Sequence, residues 1–234
     1  MSHVNHLLSY MKSLSDNKRA VSSTRFFKTG KGDYGEGDKF LGLTVPQCRI
    51  IVKDYSSSTS LDDISVLLKS DFHEVRLVAL LILVDKYEKS TLEAKPFIVD
   101  FYLSNTSRIN NWDLVDSTAH KILGDYLLDK DRSILYKLAK SNNLWEKRIS
   151  IVSTYTFIRN NDFFDALRIS QILFSDNHDL IHKATGWMLR EVGKKDEQAL
   201  IIFLDKHYKT MPRTALRYSI ERLSKKQKDH YMKK

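Results

Sequence analysis

Apolar residues recur at helical spacing along almost the whole chain. Leu7, Leu8, Met11 and Leu14 predict an amphipathic helix over residues 3–20. Thr44 followed by Pro46 predicts the start of another, running through Arg49, Ile50 and Val52. From residue 61 the 3.6-residue period returns in segments 61–68, 74–87, 94–103, 112–127, 133–140, 145–159, 163–173, 180–193, 197–206 and 213–223. No alternating strand pattern interrupts them, so the predicted fold class is all-α.

The helices also come in pairs. The strongly apolar segments HEVRLVALLILVDKY, NWDLVDSTAHKILGDYL, LWEKRISIVSTYTFI and IHKATGWMLREVGK recur along the chain, with a shorter helix between each and the next. A period of roughly 30 to 40 residues predicts an α-solenoid, a superhelix of HEAT-like or armadillo-type repeats whose second helices line a concave face. A compact bundle is the alternative. Beyond SSSTS at 56–60 no Pro/Ser-rich linker appears, so residues 1–234 are expected to form a single domain.

One segment departs from this pattern. Gly30, Gly32, Gly35, Gly37 and Gly42 fall together, giving a predicted glycine-rich loop at 28–42. Neither the GxxxxGK[ST] order nor a GxGxxG bounded by strand and helix is present, which argues against a nucleotide loop. Main-chain N–H groups of a loop joining two helices are the better expectation, and they could meet a phosphate backbone.

Composition narrows the picture further. A hydrophobic fraction of 42% suffices for a core, and three prolines leave few helix breakers. Mean hydropathy is -0.38. The lone cysteine, Cys48, excludes an internal disulfide and points to a reducing compartment. The first residues lack the apolar core of a signal peptide and no run is long enough to span a bilayer, so a cytoplasmic location and no membrane partner are expected. The net charge of +9 suits a polyanionic partner. From Arg213 onward eight Lys/Arg face two acids, and the basic tail 224–234 reads either as a solvated terminus or as part of a binding surface.

The residues that the second helices would present off the core are Arg76, Trp112 with Asp116, Lys147 with Arg148, Trp187 with Arg190, and Arg213 with Arg217. Trp112 and Asp116 are one helical turn apart, so an indole face and a carboxylate share one side. Together they can attract a cation or an electron-poor sugar. Each also has a plainer reading: Trp187 as core, and Arg148 and Arg190 as exposed partners of Glu146, Glu191 or Asp116, worth about 0–1 kcal/mol. Trp145 reads as packing. The eight histidines are scattered and Cys48 has no partner, so no zinc site is expected, and Cys48 is expected packed rather than nucleophilic.

The motifs FLGLTVPQCR, NNWDLVDSTAHKILGDYL, LWEKRISIVST, KATGWMLREVGK and MPRTALRYSIERL resemble, in order and across essentially the whole chain, the AlkD-like DNA alkylation-repair glycosylases. The resemblance implies HEAT-like repeats around double-stranded DNA, and removal of cationic 3-methyladenine and 7-methylguanine without cofactor, metal or base-flipping pocket. It implies that Asp116 is catalytic, with Trp112 and Trp187 beside it, and that Arg148 meets the DNA backbone. Thr44, Pro46 and Arg49 lie in the stretch that matches the DNA-meeting loop and helix start. Lys147, Arg190, Arg76, Arg213 and Arg217 are the further candidate DNA-binding residues, and a monomer is expected. Where enzymatic members carry a tyrosine near the lesion, this chain places Phe26, followed by the glycines. A non-catalytic binder of duplex or branched DNA is the alternative function, and a protein-binding scaffold a third.

Overall fold

A computed structural model describes residues 2–233, and among these every regular element is helical. The chain packs as two compact units, Met1–Thr118 and Ala119–Lys234. Composition gives no hint of this division because it falls inside the helical stretch 112–127, where no linker residues occur.

The first unit holds α1 (His3–Ser13), α2 (Asn17–Phe26), α3 (Val45–Tyr55), α4 (Leu61–Leu68), α5 (His73–Lys89), α6 (Lys95–Ser104) and α7 (Trp112–Ala119). Its spine is α5, which is buried on nearly every face from His73 to Val84 and packs on α3 and α4. A helix apolar all round has to be surrounded by others.

The single helix predicted over residues 3–20 is two. Asp16 breaks it, because its carboxylate accepts the Arg19 N–H at 3.0 Å while its own N–H donates to the Leu41 carbonyl at 2.8 Å. An N-cap is where an aspartate is worth most to a helix. The expected loop follows α2 and closes with one parallel bridge between Lys39 and Phe72.

In the second unit, a π turn at His120–Gly124 leads into α8 (Ser133–Ala139), α9 (Leu144–Arg159), α10 (Phe164–Leu173), α11 (Asp179–Lys195), α12 (Glu197–His207), α13 (Arg213–Ser219) and α14 (Lys225–Met232). Here the predicted pairing is visible: α9 packs on α11 and α11 on α13, while α8 and α10 lie against each other and against α9. Two glycines let the helices approach. A Cβ on Gly124 would collide with the Ser153 carbonyl of α9. A Cβ on Gly186 would lie 2.5 Å from the Ala215 carbonyl of α13.

The basic tail is not a frayed terminus over its described residues. Ser224 and Gln227 form a reciprocal cap, and Tyr231 is buried in the apolar cluster that also holds Leu200, Leu204 and Leu216, with its hydroxyl donating to Asp205 at 2.7 Å. One aromatic anchor and a cap outweigh the repulsion of the lysines.

Overpacking at a helix contact costs about 1–3 kcal/mol. Gly186→Ala is therefore expected to lower the urea midpoint by a corresponding amount. An unchanged midpoint would mean that α13 does not approach α11 so closely.

Candidate functional site

The first unit gathers the residues of interest around the start of α7. Asn111 is fully buried, and its side-chain oxygen accepts the Trp112 N–H at 2.8 Å, which starts the helix. Trp112 and Asp116 then follow one turn apart, both half-buried. Beneath them α7 is fastened to α6: the Tyr102 hydroxyl lies 3.0 Å from that of Thr118, which donates to the Leu114 carbonyl at 2.6 Å. Burial pushes the Tyr102 phenol well above its usual range, the Thr118 hydrogen bond opposes that, and the Asp116 charge adds to the rise. Tyr102 is therefore a neutral support.

Trp112 belongs to an aromatic wall. Phe27 stacks on it with ring centres 5.4 Å apart and planes at 23°, and Phe26 meets it edge-on at 5.8 Å. Phe27 also stacks on Phe40 at 5.2 Å and meets His73 at a tilt of 34° with ring centres 4.7 Å apart. Phe26, at the C-terminal end of α2, is 65% exposed and ends the wall at solvent. Offset and edge-on ring pairs of this kind contribute about 0.5–1.5 kcal/mol each beyond their buried area.

His73 joins this wall to a buried ionic node. Its Nε2 lies 2.7 Å from Asp113 and its Nδ1 lies 3.4 Å from Asp38. Asp38 also accepts from Arg76 at 2.7 Å and from Asn111 at 3.3 Å. A carboxylate at each ring nitrogen requires a proton on both, so His73 is an imidazolium. Burial alone would lower its pKa, but the hydrogen bonds to Asp113 and Asp38 outweigh it and push the value up to about 9. Burial likewise acts to raise Asp38, and the His73 bond and Arg76 charge overcome it and hold that carboxyl low.

The loop ahead of α3 is held by a second buried carboxylate. Glu74 accepts the N–H groups of Leu41, Gly42 and Leu43 at 2.9, 2.8 and 3.2 Å. Gly42 has φ of 80°, and a Cβ there would strike the Asp16 carbonyl. At the end of the loop the N–H groups that could have met a phosphate are thus occupied, those of Leu41–Leu43 by Glu74 and that of Thr44 by Gln47 at 2.8 Å. Thr44, Pro46 and Arg49 at the start of α3 are exposed.

Arg76 corrects the expectation of a ligand-facing cation: it is 1% exposed, with Asp38 and the Ser70 carbonyl as partners. Cys48 is packed, and burial, with the Glu74 and Asp113 charges, pushes its thiol up to about 12, so it stays protonated. Among the described residues no group of His, Cys, Asp or Glu is arranged to hold a metal ion.

In the second unit Trp187 on α11 is half-buried, with the Tyr155 ring of α9 at 6.0 Å. Tyr155 in turn meets His120 edge-on at 5.3 Å. Burial, helped by the Lys121 and Arg159 charges, pushes His120 down to about 4, so it is neutral at pH 7. Arg148 is 5% exposed, and its Nη1 donates to the Leu180 carbonyl at 2.6 Å, so its guanidinium is not presented to solvent as the sequence led us to expect. Trp145 is buried, as its neighbour Leu144 suggested. Lys147 pairs with Asp176 at 2.5 Å, and Arg190 with Glu221 and Glu191. Arg213 and Arg217 are exposed. Sequence reasoning missed Phe27, Phe40, Asp38 and His73, although the FF pair and a histidine opening an apolar helix were visible.

The raised His73 pKa has a definite sign for stability. The group is protonated in both states below its unfolded value of 6.5, so the stabilisation is complete there and is lost as pH rises through about 9. The wild-type urea midpoint is expected to fall between pH 7 and 10, and His73→Gln to flatten that slope. An NMR titration of His73 with a midpoint near 6.5 would contradict the node.

Comparison with known proteins bears on the family and the fold. A family model described as DNA alkylation repair enzyme matches residues 7–223. A solved structure described as a predicted DNA alkylation repair enzyme from Enterococcus faecalis superposes with a TM-score of 0.70 at 16% identity, covering 90% of this chain and 97% of that one, and so shares its helical-repeat fold. No curated protein matches. With nearly its whole length matched, this chain belongs to the DNA alkylation repair enzyme family.

Proposed function

We propose that the protein is a DNA glycosylase that hydrolyses the N-glycosidic bond of cationic alkylpurines, 3-methyladenine and 7-methylguanine, in duplex DNA. The observation that carries this reading is Asp116 set one turn beyond Trp112 on α7, with the Trp112 ring backed by Phe27 and edged by exposed Phe26. An N-alkylated purine already bears a positive charge. When its C1′–N bond breaks, the electron pair leaves with the base and neutralises it, so no general acid is needed. Positive charge then develops on the deoxyribose. A carboxylate fixed at that position stabilises it and orients the water that adds to C1′, the water proton passing to the carboxylate or to solvent.

Trp112 would face the sugar cation with its ring. The rigid wall behind it supplies the preorganisation that such a contact needs. By resemblance we assign Trp187 the same kind of contact. Arg148, buried on the Leu180 carbonyl, is assigned to holding α11 rather than to a phosphate. Exposed Arg49 and Arg217, with Thr44 and Pro46 beside Arg49, are the proposed phosphate contacts. No cofactor enters the step, and the active species is proposed to be a monomer.

The second reading, a non-catalytic DNA binder, is favoured by Phe26, which offers a bare ring and no hydroxyl at the exposed end of the wall. One assay separates the two. Wild type is expected to release 7-methylguanine from alkylated duplex, and Asp116→Asn to slow release about 10²–10³-fold, the range seen when one electrostatic stabiliser is removed. Release by wild type no faster than the spontaneous rate would leave only the binder. For either reading, affinity for plain duplex should fall as salt rises, and a salt-independent affinity would exclude a phosphate-tracking surface.

A further inference from the structure

The second unit contains a cleft of about 610 Å³ that the reading above does not use, lined by Tyr208, Lys209, Arg213 and Lys233. Its walls depend on the fold of the basic tail. Tyr231 is buried in the apolar cluster that also holds Leu216, and donates to Asp205, which fastens the end of α14 to the last turn of α12. Arg213, at the start of α13, donates through Nη2 to the Met232 carbonyl at 3.1 Å, and so ties the second wall to the same end of the chain. The tail thereby brings Lys233 to Lys209 and Arg213, which are distant in sequence.

The chemistry of these walls is one-sided. Three of the four named lining residues are cations and none is acidic. Like charges around one concavity repel, and a low-dielectric wall strengthens the field they share, so an anion entering the cleft relieves an existing cost. The fourth residue, Tyr208, is half-buried, braced edge-on by Tyr231 at 5.4 Å and flanked by His230 at 5.9 Å. The Lys209 Nζ lies 5.7 Å from its ring centre. Phosphate needs only the cations, whereas an aromatic wall beside them suits a phosphate that carries a planar base. A duplex hides its base faces, and an unpaired strand exposes them.

We propose that this cleft holds one nucleotide of an unpaired nucleic-acid strand, its phosphate on Lys209, Arg213 and Lys233 and its base against Tyr208. The site does not depend on excision, and it gives Arg213 a strand contact in place of the duplex contact expected from sequence.

The test is ultraviolet crosslinking of the full-length protein to a short oligothymidylate carrying one 5-iodouracil, with the crosslink mapped by mass spectrometry. Attachment is expected at Tyr208. Lys209→Ala/Arg213→Gln should reduce its yield severalfold, and each cation removed should lower the salt slope of binding by about 0.7. Far-UV circular dichroism checks that the double variant folds. Lys233→Ala, at the chain end, gives a milder version of the same loss if it does not. Asp116→Asn should crosslink like wild type, so failed excision and failed strand binding are told apart. The proposal is overturned if no crosslink maps to residues 208–233, or if the yield is indifferent to these cations. Labelling of Tyr208 by 5-iodo-dUMP alone, or by the matching duplex, as efficiently as by the strand would also overturn it.

Discussion

The first unit depends on burying an imidazolium between two carboxylates. His73, Asp38, Asp113 and Arg76 come from three separate parts of the chain: the glycine-rich loop, the start of α5 and the start of α7. Removing one partner of a buried pair costs about 3–5 kcal/mol, against about 0–1 kcal/mol for an exposed pair such as Lys39–Asp71. The node therefore sets where the loop lies, and the surface pairs do not. Because Phe40 stacks on the same imidazole that Phe27 meets at a tilt, the charge network and the aromatic wall are one assembly.

That assembly gives the glycine-rich segment a different meaning. Its glycines and main-chain N–H groups suggested a surface open to phosphates. Instead Glu74 draws three consecutive N–H groups inward, and Asp38 is drawn onto Arg76 and His73. The end of the segment, from Asp38 to Gly42, acts as a fixed frame behind Trp112, while residues 30–33, 36 and 37 stay exposed, as does the ring of Phe26 before it. A rigid, mostly desolvated support around a half-buried carboxylate and indole is what electrostatic stabilisation of a developing cation requires.

In the second unit the organising constraint is close backbone approach. Gly124 and Gly186 bring the π turn to α9 and α11 to α13, and the tail closes the unit through Tyr231. The cations expected to stand free divide accordingly. Arg148 is absorbed into a hydrogen bond between α9 and α11, and Lys147 and Arg190 into ion pairs with Asp176 and Glu221 in the connections between helices, whereas Arg213 and Arg217 stay exposed.

Helical periodicity by itself determined the all-α class, most helix positions, the pairing of helices and the turn that sets Trp112 beside Asp116. These are local properties, since 3.6-residue spacing acts within one helix. The resemblance motifs led to the family for the same reason: they are contiguous stretches. Tertiary structure alone decided the break at Asp16, the folding of the basic tail, and the burial of Arg76 and Arg148. It also decided that His73, one of several scattered histidines in sequence, is the hub of the first unit. Whether a charged side chain meets solvent or a buried partner depends on residues tens of positions away, such as Asp38 for Arg76 and Asp113 for His73. Periodicity carries no information about such pairs, and burial energetics fixes them only once the chain has folded.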